Sequence, residues 1–467
     1  MKENSGKKML IIGGGPAGYV GAIRAAQLGA NVTLIDKDEV GGTCLNVGCI
    51  PTKVLTSTAH LFLSMKHSER WGLKTSGINL DFPQVMKRKQ MVVQRLVTGV
   101  KSLLKAHGVN LIKGTAKFLD EKEIEVKTDR DEIQKIEADK ILIATGSIPI
   151  MLPIPGMELD GVVDSTPALS FSEVPQSLLV IGGGAIGCEF AYIYHSFGTQ
   201  VTIVEMLPQI LPGEDQDIVA TLRTSLEKAG IKIFTDSKVS KIAPGKDGKK
   251  FVTVSSAKGG FEIEVEKVLV SVGRKANTKD LGLENLGIKM DRTNIIVDQY
   301  LGTNLPDVYA AGDCIGNWLL AHVASMEAEL AVENALGAQK KMDYTAVPRC
   351  TFTHPEIGSV GLTEKQATDQ GIKIKVGKFP FLANGRAQAE NEAEGMVKII
   401  ADANSHQILG AHILGHRATD LIAELTLAIK MGTKTEDIID TIHAHPTLSE
   451  TVREAVLKAE GRPIHVI

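Results

Sequence analysis

No stretch of about 18 consecutive apolar residues occurs in the chain, so nothing in it reads as a membrane-crossing helix. A field of one charge sign is missing too. The 52 basic side chains stand against 55 acidic ones with no dense Lys/Arg stripe, so there is no surface of the kind that neutralises nucleic-acid phosphates. Cysteine is scarce: five residues are too few, and an odd number, for the disulfide scaffold of a small secreted domain, which leaves catalytic or buried thiols. Lysines precede the first apolar run, as they would in a secretory leader. Three consecutive glycines and Pro16 break that run, however, and an ordinary amphipathic pattern with Arg24 comes next, so a cytoplasmic protein is expected.

Glycine is what the chain has in abundance, 46 of 467 residues, as suits many tight strand-to-helix turns and close backbone approaches to ligands. The length corresponds to about three domains. Two segments repeat one pattern: MLIIGGGPAGYVGAIRAAQLGANVTLID (9–36) and LLVIGGGAIGCEFAYIYHSFGTQVTIVE (178–205). Each has a short apolar strand, a Gly-x-Gly-x-x-Gly turn, a helix-length segment and a second apolar strand ending in an acid. From first glycine to acid the spacing is 23 positions in both, Gly13 to Asp36 and Gly182 to Glu205. A strand feeding a helix whose first amides and dipole hold a pyrophosphate needs these glycines, and the terminal acid accepts from ribose hydroxyls. A single such run also serves as a plain turn. Two in full strand-helix-strand context point to two dinucleotides, a flavin held permanently and a nicotinamide that exchanges.

Between the repeats lies GGTCLNVGCIPTK (41–53), with four residues between Cys44 and Cys49. So close a pair can close a small disulfide. Zinc is the competing reading, but it wants about four ligands, and Cys188, Cys314 and Cys350 stand alone, read as small buried residues without redox roles. Pro51 belongs in the first turn of a helix, whose N-terminus favours a thiolate at Cys49. Lys53 adds positive charge nearby, although a lysine there is also the ordinary solvated surface group. Downstream, HAHPTLSET (443–451) offers His443, His445 and Glu450, an imidazole suited to proton transfer with a carboxylate to orient it; structural or surface histidines would look the same by composition.

Over essentially its whole length the chain resembles the pyridine nucleotide-disulfide oxidoreductases. The resemblance rests on GGGPAGY with Asp36, the redox box 41–53, ATGS (144–147), GGGAIGCE (182–189), VGR (272–274), AAGD (310–313) and HAHPTLSE (443–450), in that order. Within the family it is most similar to the branch that oxidises dihydrolipoamide. The fold implied is α/β: two Rossmann-like dinucleotide-binding domains for FAD and NAD, a central part, and a C-terminal α+β dimerisation domain. The expected bounds are 1–149, 150–275, 276–347 (returning to the FAD) and 348–467, with the prolines of IPIMLPIPG as the clearest linker.

The resemblance assigns FAD to Gly13, Gly15, Pro16, Ala17, Gly18, Asp36 and Lys37, to Gly42, Thr43, Cys44 and Lys53 of the redox box, to Gly114 and Ala116, to Thr145, Gly146 and Ser147, and to Asp313 and Ala321. NAD falls to Gly182, Gly183, Gly184, Ala185, Ile186, Gly187 and Glu205, with Val239 and Gly273. Catalytic roles fall to Cys44, Cys49, Lys53, Glu189, His445 and Glu450, with Glu189 paired to Lys53 and His445 as the base oriented by Glu450. No metal is expected. Family members usually carry Glu at position 36 and Ser at 52, where this chain has Asp36 and Thr52. Such enzymes are homodimers in which the base reaches the other subunit's disulfide, and their partners are lipoyl domains of 2-oxo acid dehydrogenase acyltransferases or the glycine-cleavage H protein. No fused lipoyl domain is seen, so the lipoyl arm is expected from a partner. A purely stabilising C-terminal layer is equally compatible with the residues.

Glu205, succeeded by Met206, Leu207 and Pro208 and no arginine, would repel a 2′-phosphate and favours NAD over NADP. That choice, with Ala185 where glutathione reductases generally carry an aromatic residue, weakens the glutathione-reducing branch, which stays the alternative reading. A C-terminal GRPIHVI without a cysteine pair does the same for the mercuric-ion-reducing branch. A non-catalytic flavoprotein scaffold is disfavoured by the intact Cys44, Cys49, His445 and Glu450.

Overall fold

The computed structural model describes residues 6–257 and 259–467, so most of the lysine-bearing stretch weighed as a leader lies outside the described residues. Strand β1 (Lys8–Ile12) is apolar on both faces and buried from Met9 onward, as a parallel strand covered on two sides must be. It pairs in parallel with β2 (Asn31–Asp36) across helix α1 (Pro16–Gln27). The sheet has seven strands in the order 308–310, 140–143, β1, β2, 110–118, 123–128, 133–137. The first five run parallel, and the last two extend the edge as an antiparallel meander. Strand Val308–Ala310 belongs to this sheet although the whole second unit intervenes in sequence.

The inward stripe of α1 is Ala17, Gly18, Gly21, Ala22 and Ala25, and its smallness sets the layering. A Cβ at Gly21 would sit 3.0 Å from Leu142 of the sheet and 3.4 Å from Ala328 of the helix Ala321–Ala335, so α1 is clamped between the two.

Two further helices lead from this sheet, α2 (Gly42–Val47) and α3 (Cys49–Lys66). The second repeat gives β3 (Ser177–Ile181), helix α4 (Ala185–Phe197) and β4 (Gln200–Val204), centred in an all-parallel five-stranded sheet ordered 232–234, β4, β3, 267–270, 162–163. An antiparallel three-stranded sheet (237–244, 250–256, 259–265) packs beside it. The proline-rich linker begins on a two-stranded ribbon in which Ser147–Pro149 pairs with Arg274–Ala276.

Beyond residue 348 an antiparallel five-stranded sheet, ordered 349–351, 356–361, 408–415, 396–402, 374–380, is covered by helices Ala418–Met431 and α5 (Glu450–Ala459). One buried charge ties this layer to the second unit. Lys398, 2% exposed, meets Asp215 at 2.8 Å, Asp217 at 2.5 Å and Glu364 at 2.6 Å. An ammonium so buried needs such a surround, because removing its partners would leave an uncompensated charge.

Cys188 and Cys314 are fully buried, as expected. Cys350 corrects the expectation. Its strand, Arg349–Thr351, lies at the sheet edge, and there the thiol is only half-buried. Among the described residues no helix is long and apolar enough to cross a membrane.

Candidate functional site

At the end of β1 the chain turns through Gly13 with φ +105°, a left-handed conformation that favours glycine. A Cβ at Gly18 would fall 1.6 Å from the Gly13 carbonyl oxygen, so the turn and the first helical turn fit only without side chains. Pro16 opens α1, where its missing N–H costs nothing. Asp36, at the end of β2, accepts from the Gly14 amide at 2.6 Å and the Asp38 amide at 3.0 Å. Burial pushes its carboxyl above the ordinary range despite those two amides and the nearby charge of Lys37.

The redox box is fastened to this turn. The Gly41 amide donates to Gly14 O at 2.7 Å, and a Cβ at Gly42 would come 2.6 Å from the Gly15 Cα. The Asn46 side-chain amide closes the loop onto the carbonyls of Glu39, Val40 and Gly42. Cys44 sits in α2 and Cys49 is the first residue of α3, with Pro51 in that helix's first turn. The two thiols are hydrogen-bonded. The bond from Cys44, with the charge of Lys53, lowers Cys49 to about 7 against burial and Glu189, while Cys44 is pushed well up by the same bond and by burial.

Lys53 Nζ lies 2.7 Å from Glu189 Oε2 and 4.3 Å from the Phe352 ring centroid. Glu189, 5% exposed, uses its other oxygen to accept from the Phe352 amide at 2.9 Å. One buried carboxylate thus joins the redox helix α3, helix α4 of the second unit and the end of the C-terminal edge strand.

The second turn repeats the first. Gly182 has φ +101°, and a Cβ at Gly187 would fall 2.0 Å from Gly182 O. Glu205 accepts from the Gly183 amide at 2.6 Å and the Leu207 amide at 2.8 Å. Gly184 precedes Ala185 and Ile186 at the start of α4, and no atom would touch a Cβ at Gly184 within 4 Å.

The two histidines of the C-terminal motif differ sharply. His443 is 6% exposed with both ring nitrogens engaged, by Glu424 at 2.9 Å and by Thr441 O at 3.1 Å. His445 is 80% exposed and engages Glu450 through Nδ1 at 2.9 Å. Glu450, the first residue of α5, also accepts from the Thr447 amide at 2.9 Å. Against burial, that amide and His445 hold its carboxyl below the ordinary range.

Other sequence-assigned positions divide into two kinds. Gly146, Ser147, Asp313 and Ala321 border the first turn's end of the sheet: the Ser147 hydroxyl donates to Asp313, and Ala321 opens the helix packed on α1. Ala116 and Val239 turn their side chains into apolar cores, and Gly114 is a sheet glycine whose Cβ would meet Lys127 O at 2.7 Å. Only backbone at those three positions is available to a ligand. Gly273, with φ +125°, shapes the turn before the Arg274 strand, and Ile150 donates to its carbonyl at 3.0 Å.

Sequence reasoning passed over two residues here. Arg274 donates to the Ser147 hydroxyl and carbonyl, each at 2.7 Å, and reaches Thr43 at 3.4 Å, linking the redox box to the Ser147–Asp313 pair. The quoted VGR motif ends on it, so a signal was present. Glu327 is wholly buried, accepting from the Gly312 amide at 2.7 Å and the Tyr344 hydroxyl at 2.6 Å, and so fixes the turn that carries Asp313. Nothing in the sequence pattern marks it.

A dinucleotide fits both turns, since each has a side-chain-free approach to a helix start and an acid at the end of the next strand. The Thr145 hydroxyl beside Gly13 is a buried polar atom without a partner among the described residues, of the kind a bound ligand satisfies.

Comparison with known proteins agrees with this geometry. Residues 7–328 match the family described as "Pyridine nucleotide-disulphide oxidoreductase", and 347–456 match its dimerisation domain. A protein of Geobacillus stearothermophilus named dihydrolipoyl dehydrogenase is 45% identical over 98% of this chain and 97% of its own length. A Bacillus subtilis protein of the same name is 43% identical over the same shares. Among solved structures, LpdA from Mycobacterium tuberculosis superposes with a TM-score of 0.90 at 27% identity, covering 96% of this chain and 99% of that one.

Proposed function

Since the chain belongs to the pyridine nucleotide-disulphide oxidoreductase family, we propose that it oxidises dihydrolipoyl groups to the disulfide through Cys44 and Cys49, with FAD as relay and NAD as acceptor. The observation that carries this is the fastening of a thiol pair at a helix start, with Lys53 beside it, to the first glycine turn through Gly41 and Gly42. FAD would be held by the Gly13–Gly18 turn, Asp36, Ser147 and Asp313, and the chemistry it supplies there is two-electron transfer between a thiolate and a nicotinamide. NAD would be held by the Gly182–Gly187 turn and Glu205. In the same reading the chain is a cytoplasmic homodimer with parts bounded at about 149, 275 and 347. Its lipoyl arm comes from a 2-oxo acid dehydrogenase acyltransferase or a glycine-cleavage H protein.

The residues act in sequence. His445, its Nδ1 held by Glu450, takes a proton from one substrate thiol, because thiols are poor nucleophiles until ionised. The thiolate attacks Cys44 in the Cys44–Cys49 disulfide, and Cys49 leaves as a thiolate. The second substrate sulfur then displaces Cys44, which leaves with a proton, so one disulfide forms as one breaks. Exposure alone would choose Cys49 as the sulfur attacked, since it is the more open of the two. Charge chooses Cys44: Cys49 is the better leaving thiolate, with the lower proton affinity and Lys53 one turn away.

The test is His445→Gln. Reduction of the enzyme by dihydrolipoamide should slow by the ~10²–10⁴-fold typical of losing a positioned acid/base, while hydride exchange with NADH stays near wild type. In verified heterodimers of His445→Gln with Cys44→Ser, one site would again hold an intact cysteine and an intact histidine, and dithiol activity should return. No recovery would sink the shared site and leave the relay standing.

A further inference from the structure

Eleven residues past Cys49, about 16 Å along α3 at 1.5 Å per residue, stands His60. Its ring centroid lies 4.7 Å from that of His354 and 6.2 Å from that of His416. His354 Nε2 is 3.4 Å from Glu392 Oε2. One ligand atom from each of His60, His354 and Glu392 lies within 4.8 Å of the others. All three border a cavity of about 830 Å³ that Tyr192 and His416 also line. We propose that His60, His354 and Glu392 form a binding site for a zinc-type divalent cation, with water in the fourth position.

Two imidazoles and a carboxylate are a donor set this cation takes, and metal–ligand bonds of about 2.0–2.1 Å put neighbouring tetrahedral donors roughly 3.3 Å apart. The His354–Glu392 separation already matches that spacing. The widest gap closes by roughly 1.5 Å, within reach of a ring rotation at His60, whose side chain ends in the open cavity. The surroundings suit a cation as well. Among the described residues Glu392 has no Lys or Arg partner, and its one ion-pair neighbour is His354. The Tyr192 hydroxyl, on a side chain 5% exposed whose ring lies 6.4 Å from that of His354, has no well-aligned hydrogen-bond partner among the described residues.

The three ligands come from separate parts of the fold: the redox helix, the segment joining strands 349–351 and 356–361, and the loop after helix Gly385–Ala389. A cation there would clip α3 to the C-terminal layer. It would do so two residues from Phe352, whose amide holds Glu189.

The experiment is titration of the oxidised holoenzyme with ZnCl2 by calorimetry, alongside His354→Ala, Glu392→Gln and a Cys44→Ser/Cys49→Ser double variant. The expected result is one zinc per chain in wild type and in the cysteine double variant. Affinity should fall in His354→Ala and Glu392→Gln by more than the ~10–100-fold typical of losing an outer-shell partner. Loss of binding with the cysteines would place the cation on the relay and overturn the proposal, as would undiminished binding in the other two variants or no stoichiometric binding at all. Should His354→Ala fail to fold, Glu392→Gln and the Co²⁺ spectrum of wild type decide: d–d bands without a thiolate charge-transfer band support the site, and a thiolate band refutes it.

Discussion

The two glycine-rich turns are built alike and surrounded differently. Both put a left-handed glycine after the strand, forbid a Cβ at the third glycine of the motif, and end in an acid that accepts from the amide of the residue after the first glycine, Gly14 or Gly183. At the first turn the chain itself closes over the helix start: Gly41 binds Gly14, Gly42 packs on Gly15, and Pro16 is half-buried. At the second, Leu211 binds Gly183 as Gly41 binds Gly14, but no described atom would touch a Cβ at Gly184 within 4 Å, and Ala185, in the place of Pro16, is exposed. A ligand under the first turn is enclosed by the same residues that carry the thiols, and one at the second can come and go. In the proposed reading, the same turn geometry would then serve once for retention and once for exchange. The difference lies in Gly42, which packs on Gly15 at the start of α1, whereas the loop after β4 reaches Gly183 through Leu211 and Ile210 but leaves Gly184 open.

The largest effects should come from the third glycines, and they should differ. Gly18→Val forces side-chain atoms onto Gly13 O, and the chain should purify with flavin near zero by absorbance. Gly187→Val makes the corresponding clash at Gly182 O. There the flavin should remain and still be reduced by dithiol, while NAD reduction falls on the scale of 1–3 kcal/mol for overpacking, roughly 5–150-fold. Loss of flavin in both variants would break the distinction between the turns.

Cys44→Ser sharpens it from the other side. Dihydrolipoamide-dependent NAD reduction should fall below detection, because no disulfide can form, while flavin stays bound and NADH still reduces it in stopped-flow absorbance. Appreciable dithiol turnover would mean that electrons reach the flavin by another route.

Much of this division was legible in the residues. The equal spacing from Gly13 to Asp36 and from Gly182 to Glu205 carries the strand, turn and helix of each unit, because backbone geometry at those glycines depends on neighbours close in sequence. The thiol pair and Pro51 place the start of α3 for the same reason. What was not legible depends on distant partners. Glu327 looks like any helix glutamate until Gly312 and Tyr344 close on it. Cys350 looks like other lone cysteines until its strand proves to be an edge. Ala116 and Val239 can be assigned from the family resemblance, but which way a strand side chain points is set by sheet pairing.

A smaller effect is expected at Lys53, whose charge acts on the thiol pair but not on the second turn. Cys49 is lowered to about 7 by its bond from Cys44 and by Lys53, while Glu189 pulls the other way. In Lys53→Met the lowering charge is gone while Glu189 remains, so Cys49 rises toward or above the ordinary ~8.5 of a free thiol. The sign is then fixed. At pH 7.5 the reduced wild type holds Cys49 mostly as thiolate and the variant mostly as thiol, so thiolate absorbance should titrate at higher pH. An unchanged titration would show that the Cys44 bond alone sets the value.

An effect confined to nicotinamide binding concerns the acids that end the two repeats. Glu205 gives one oxygen to the Gly183 amide and one to the Leu207 amide, as Asp36 does to Gly14 and Asp38. Each oxygen has a further lone pair, so a ribose hydroxyl can be accepted without breaking the turn. Hydrogen bonds to a charged acceptor contribute about 1.5–3 kcal/mol, so removing this one should lower NAD affinity roughly 10–150-fold. Glu205→Ala alone should therefore weaken NAD without making NADP a good substrate, because Met206, Leu207 and Pro208 offer a 2′-phosphate no cation. Adding Leu207→Arg supplies that cation at a partly exposed position, and the ratio of kcat/KM for NAD over NADP should then fall further. Flavin content should stay at the wild-type level, because Asp36 and the first turn are untouched. If the double variant keeps its full preference for NAD, the acid at the end of β4 only braces its own turn, and discrimination between the nicotinamides lies elsewhere.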